Sequence, residues 1–160
     1  MNAKDAIKIG IDMGKMISMG YLEDLTDQEL FHRPAKGANH INWQLGHLIS
    51  GENEMVNLAV PNSMPPLPAG FAEKYKSDMA SCDDPAKFLK KAELLKAFEE
   101  QRAGTLKALE AFPEGDLDKP SGVNYAPTKA HLFGMQDTHW VMHAGQWAVI
   151  RRQLGRKPLF

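Results

Sequence analysis

Cysteine is nearly absent from this chain, Cys82 being the only one. No internal disulfide can form, and a reduced, cytoplasmic setting is the expectation. Long apolar runs are missing as well. No stretch approaches the roughly 18 consecutive apolar residues of a transmembrane helix, so no membrane span is expected. The opening residues carry Lys4, Asp5, Lys8 and Asp12, which interrupt the apolar core that a signal peptide needs. Nor does one sign of charge dominate. The 19 Lys and Arg against 20 Asp and Glu leave a net charge of −1, and the basic residues are not gathered into a block. A nucleic-acid surface, which needs concentrated positive charge to displace counterions, is therefore not expected. Arg151, Arg152, Arg156 and Lys157 form a small basic end that the dipole of a preceding helix explains.

What is present is ordinary for a globular chain: 43% hydrophobic and 24% charged over 160 residues. That length suits one domain, residues 1–160, with a real core. Four segments have helical periodicity and none shows strand alternation. The first runs from about Ala3 to Met19, with Ala6, Ile9, Met13, Met16 and Ile17 as its apolar stripe. Gly10 and Gly14 cost it about 1 kcal/mol each against alanine, which close packing must offset. Thr26 and Glu29 then stand at capping-box spacing. The second helix is expected from Asn39 to Val60, where Ile41, Gln44, Leu48, Gly51, Met55 and Leu58 form one stripe and Pro61 stops it. A connection of about 25 residues to Pro85 follows, long for a compact domain and able to span a bundle. The third helix is expected from Pro85 to Phe112, its stripe including Phe88, Ala92, Leu95, Phe98, Leu106 and Leu109. The fourth begins after Thr128 and ends at Leu154-Gly155. These elements make an all-α four-helix bundle with one long crossover between the second and third helices.

The chemistry sits on the fourth helix. Leu132, Gln136, His139, His143, Trp147, Ile150 and Leu154 step by 4, 3, 4, 4, 3 and 4, the inward seam of a bundle helix. Its ends are apolar, but its middle is Gln136, His139 and His143, with Gln146 one turn on. Buried polar groups of this kind need partners. Two imidazoles at i, i+4 can reach one ion, although such a pair by itself is more often a pair of satisfied core histidines. A metalloprotease is excluded, because Trp140 stands where the general-base glutamate of H-E-x-x-H belongs. A third ligand must come from another helix. His47 borders the buried stripe of the second helix, one turn from Gly51, whose missing side chain calls for close helix approach or space for a ligand.

Asn42-Trp43-Gln44-Leu45-Gly46-His47-Leu48-Ile49 resembles the second-helix histidine signature of the DinB family. His139-x-x-x-His143-Ala-Gly145-Gln146, with Ile150 to Gly155, resembles that family's last helix, and Leu25 to Leu30 followed by Arg33-Pro34 resembles its lead-in. The similarity covers nearly the whole chain. It implies a DinB/YfiT-like bundle with parallel second and third helices, and a divalent ion, zinc or nickel, on His47, His139 and His143. His32 and His40 read as loop or cap residues and His131 as a surface residue. Glu52 and Glu54 are weighed as acceptors for an imidazole N–H against a solvated helix face.

Three protein ligands leave a coordination position open. Members of the family and its close relatives include transferases and isomerases that use small bacterial thiols. The implied activity is thus a metal-dependent thiol S-transferase, with the metal activating a thiolate. Its electrophile would enter beside Trp43, Gln136 and Gln146, with Gln146 orienting substrate. Metal-hydroxide hydrolysis ranks lower for want of a general base, and a non-catalytic metal- or ligand-binding bundle stays open. Relatives often pair through bundle helices, which leaves a homodimer open, though no residue marks the interface.

Overall fold

The computed structural model describes residues 1–159. Five helices carry the architecture: α1 (Ala3–Leu22), α2 (Ile41–Ala59), the short α3 (Phe71–Tyr75), α4 (Lys91–Ala111) and α5 (Lys129–Gln153). A small antiparallel hairpin, β1 (Pro120–Val123) and β2 (Ala126–Thr128), precedes α5. The sequence pattern does not anticipate it, because a four-residue and a three-residue strand holding two prolines are too short to alternate visibly. It closes onto the bundle through Lys129 N–H to Lys119 O (2.9 Å) and Ala130 N–H to Leu117 O (2.8 Å).

The helix directions follow from which side chains meet. Asn42 at the start of α2 reaches Leu89 just before α4, and Glu52 in its middle meets Arg102 and Thr105. Contacts thus advance together, so α2 and α4 are parallel. Gly14 of α1 packs on Asp137 of α5, and Tyr21 accepts from Arg151, so α1 and α5 are parallel too. Between the pairs the order reverses: Gln44 meets Trp147, whereas Leu58 meets Lys129.

Local chemistry sets the helix starts. Asn2 and Asp5 form a reciprocal capping box on α1. Thr26 N–H donates to Glu29 Oε2 at 2.8 Å and Glu29 N–H to Thr26 Oγ1 at 3.2 Å, the expected box, which opens the 3-10 turn Glu29–Phe31. His40 caps α2 by accepting from Trp43 N–H through Nδ1 at 3.0 Å. The third long helix starts later than Pro85. Pro85–Lys87 is only a 3-10 turn, and the chain stays extended through Phe88 so that this ring can bury against Phe31, His40 and Tyr75.

The long crossover is pinned down the side of the bundle. Trp43 Nε1–H donates to Lys76 O, His40 Nε2–H to Cys82 O, and Arg33 to Ala80 O and Asp83. Tyr75 lies so close over α2 that a side chain at Gly46 would sit 2.1 Å from its ring. Only glycine fits there.

Two stripes face differently from the expectation. On α1 the buried face is Ile11, Gly14, Ser18 and Leu22, whereas Ile9, Met13 and Met16 are 51%, 53% and 56% exposed. The reason is Asp137, whose carboxylate rests on Gly10 and Gly14, where a Cβ would come within 2.9 Å and 2.6 Å of it. The glycine face therefore turns toward α5, and the methionines turn outward. On α4 the buried residues are Leu94, Ala97, Phe98, Gln101, Arg102, Thr105, Ala108 and Leu109, with Ala92 exposed.

The core itself is split. One apolar cluster holds Leu48, Phe98, Trp140 and Trp147, the other Val56, Leu109 and Phe133. Between them Glu52, Arg102, Thr105 and Gln136 form a buried polar layer.

Candidate metal centre

His139 and His143 stand one turn apart on α5, and α2 runs antiparallel beside it, bringing His47 across to them. One nitrogen of each ring lies within 4.8 Å of the other two. The ring centroids are 5.1 Å apart for His139 and His143, 5.3 Å for His47 and His139, and 5.8 Å for His47 and His143. Their planes are mutually inclined by 56°, 86° and 71°, so the three lone-pair directions can meet. Imidazole nitrogens bind zinc at about 2.0–2.1 Å, a closure that side-chain rotation supplies from here.

Each ring is held differently. Trp43, one turn before His47, stacks on it with centroids 5.0 Å apart and planes 5° from parallel. His143 is 8% exposed, and its Nδ1 lies 3.1 Å from Gln44 Oε1. Among the described residues His139 makes ring contacts alone, to His47 and His143. No hydrogen bond joins a ring nitrogen of His47 or His139 to another protein group among the described residues. A Cβ at Gly51 would lie 4.0 Å from His139 Cε1, an ordinary contact. Close helix approach therefore does not demand glycine there, and its missing side chain leaves space beside His139.

Burial and mutual proximity keep these rings neutral. Desolvation pushes His139 and His143 down to about 4, helped by the neighbouring imidazoles, while the Gln146 amide works the other way on His143. Burial alone lowers His47. Neutral imidazole is the form that binds metal. Among the described residues no carboxylate or thiol joins the cluster. A set of three neutral nitrogen donors fits a borderline divalent ion such as zinc or nickel, and the residues present fit the group that the sequence implied.

The other sequence candidates fall into place around this centre. Trp43 is in contact with it. Gln146 is exposed and lies against His143. Gln136 is 2% exposed, and its amide donates to Leu132 O of its own helix at 2.8 Å and sits against the Met55 sulfur. His40 caps α2, His32 pairs with Gln153, and His131 is exposed beside Thr128. Glu54 is exposed. Glu52 is buried but meets no imidazole: it accepts from Arg102 at 3.0 Å and Thr105 at 2.6 Å, and from Trp140. The imidazole partner is instead Gln44, which the sequence marked only as a member of the α2 stripe. A polar residue one turn before a candidate ligand, on a buried face, was the available signal.

Comparison with known proteins agrees with this architecture. A crystal structure of a conserved protein from Enterococcus faecalis superposes with a TM-score of 0.72, covering 98% of this chain and 99% of that one at 18% identity. It shares the fold. No curated protein matches the chain. The family model of the DinB superfamily matches residues 14–147, a span that holds α2, α4, the three histidines and most of α5. The chain belongs to the DinB superfamily.

Proposed function

We propose that this chain, acting as one domain over residues 1–160, holds one divalent metal ion on His47, His139 and His143 and transfers a small thiol to an electrophile. The observation that carries the reading is the convergence of three neutral imidazoles from two helices with no carboxylate among them. Three nitrogen ligands leave room for an exogenous one, and the lack of a neighbouring carboxylate base disfavours attack by activated water. A divalent ion bound there would supply the Lewis acidity that keeps a thiol as its nucleophilic thiolate near neutral pH.

The protein's own contribution is positioning. Trp43 fixes the plane of His47 and presents an apolar wall. Gln146, exposed with its amide against His143, would turn from that ring to meet the incoming electrophile. Gln136 is buried with its amide donating to Leu132 O, so it holds its own helix and is not open to a substrate. Elemental analysis of purified protein beside His47→Ala and His143→Ala is expected to give one ion per parent chain and none in either variant. Turnover with a panel of thiols and electrophiles is expected from metal-loaded parent only. Metal binding without thiol-dependent turnover above the His143→Ala background would leave a non-catalytic metal-binding bundle.

The same reading includes a homodimer paired through the outer faces of α1 and α5. These helices lie side by side and present Ile9, Met13, Met16, Val141, Met142 and Val149 to solvent. On α5 the outward positions Gly134, Thr138, Val141, Met142, Gly145 and Val149 hold no charge. This α5 face meets its own copy without opposing like charges, and on α1 the exposed Lys8 and Asp12 pair with each other. Light scattering is expected to give twice the chain mass for the parent and the single-chain mass for Met142→Lys. A monomeric parent at high concentration would remove this part of the reading.

A further inference from the structure

We propose that Gln44 is the positioning residue that sets the His143 tautomer, and so decides which nitrogen of that ring faces the metal. The inference rests on the metal reading above and adds a role for a residue outside the three ligands.

The argument turns on which end of the Gln44 amide points where. Trp147 Nε1 lies 2.7 Å from Gln44 Oε1. An indole nitrogen can only donate, so the amide atom facing it must be the oxygen. At the other end Gln44 Nε2 lies 2.8 Å from Asn39 O. A backbone carbonyl can only accept, so the atom facing it must be the nitrogen. Two independent partners thus impose the same orientation, and the amide cannot be flipped without losing both bonds. Gln44 and Trp147 are 1% and 0% exposed, so water offers no substitute.

His143 Nδ1 meets that same fixed oxygen at 3.1 Å. An acceptor faces it, so Nδ1 must carry the proton and donate. The ring is then the Nδ1–H tautomer, with the Nε2 lone pair left for the ion. Free histidine side chains in water favour the opposite tautomer. The hydrogen bond on one ring nitrogen selects what the other can do. Gln44 is itself held by the segment that supplies the rest of the site. Asn39 anchors its amide, His40 caps the helix by accepting from Trp43 N–H, and Trp43 stacks on His47. From Asn39 to His47 the chain delivers one ligand and orients a second on another helix.

The test reads the tautomer directly. Long-range proton–nitrogen correlation spectra of metal-free protein, labelled with ¹⁵N-histidine, are expected to show a protonated Nδ1 and an unprotonated Nε2 for His143. In Gln44→Leu that signature is expected to move to a mixture or to Nε2–H, with zinc affinity falling about 10–100-fold. Gln44→Glu, which keeps an acceptor at that place, is expected to restore the Nδ1–H signature. Trp147→Phe, which breaks the neighbouring bond but leaves Gln44 held by Asn39, is expected to keep both signature and affinity. A parent spectrum showing Nε2–H while the protein binds zinc would overturn the role of Gln44 and leave the metal centre standing. A parent with the Nδ1–H signature that binds no zinc would overturn the metal reading and the positioning role with it. The parent measurement needs no variant, so a misfolded Gln44→Leu does not remove the test.

Discussion

Two polar clusters are buried side by side in this bundle, and they are built to opposite rules. His47 and Glu52 are five positions apart on α2, about 7.5 Å along its axis. Around Glu52 nearly every polar atom is paired. Its carboxylate accepts from Arg102, Thr105 and Trp140, and Arg102 also donates to Gln136 O. The Arg102 guanidinium lies against the Phe98 and Trp140 rings, 5.3 and 5.4 Å from their centroids, with only its Nε unpaired among the described residues. Burial pushes the Glu52 carboxyl up, and its three donors pull against that. Around the histidines the reverse holds. Among the described residues the His47 and His139 nitrogens bond no protein group, and the missing side chain of Gly51 leaves room beside His139. A closed network with its own counter-charge has nothing left to bind; a cluster of neutral donors with open lone pairs does. The first ties α2, α4 and α5 together, and the second is where a ligand belongs.

That comparison is sharpest under mutation of the closed layer. Arg102→Ala leaves Glu52 buried and uncompensated, and urea unfolding is expected to show a loss of about 3–5 kcal/mol. Replacing both partners, Glu52→Met with Arg102→Met, is expected to recover most of it, since a buried ion pair can be exchanged for packed apolar side chains with little net cost. A single variant as stable as the parent would mean the layer does not hold the helices.

The open cluster should respond the other way. His47→Ala and His139→Ala are expected to leave the metal-free protein close to parental stability, because neither ring loses a protein hydrogen bond. Both are expected to abolish the stabilisation that zinc gives the parent, about 2.7 kcal/mol at one hundred times the dissociation constant. Thermal unfolding with and without zinc separates the two effects.

How much of this contrast the chain disclosed in advance depended on how each residue declares itself. The histidine seam was legible because 3- and 4-residue spacing survives intact from Leu132 to Leu154, and family motifs supplied His47. The Glu52 layer was not. Arg102 lies one turn after Phe98 on α4, where a charged residue reads as solvent-facing, and only its partner across the bundle reveals that it is buried. On α1 two apolar faces competed, and the methionine face looked the stronger. The face that is actually buried contains Gly14, which makes room for the Asp137 carboxylate, and the polar Ser18, so periodicity favoured the wrong side.

Acid should also tell the two clusters apart. His139 and His143 titrate near 4 in the folded chain, against an ordinary value of 6.5. Between those values the unfolded chain binds protons that the folded chain does not, so metal-free stability falls as pH drops from 6.5 toward 4. The stability difference between parent and a His139→Gln, His143→Gln double variant isolates this slope, since Glu52 contributes equally to both. Protons compete with the ion only near the lowered values, so bound zinc is expected to persist at pH 5.5 and leave as pH approaches 4. Release already complete at pH 6 would mean these rings titrate normally and are not desolvated as the geometry requires.

The smallest effect tests the space itself. Gly51→Ala places a methyl group at an ordinary distance from His139 and Met55, so nothing need move. Alanine is expected to raise stability by up to about 1 kcal/mol through helix propensity alone, and zinc stoichiometry should be unchanged. Packing does not require glycine there, and a ligand approaching His139 from that side would use the gap. Thiol binding to the zinc-loaded variant is therefore expected to weaken several-fold, measured by calorimetry against the parent. Unchanged thiol affinity in a stabilised Gly51→Ala protein would mean the open side of His139 faces only solvent, and the ligand's approach would have to be sought on the Gln146 side.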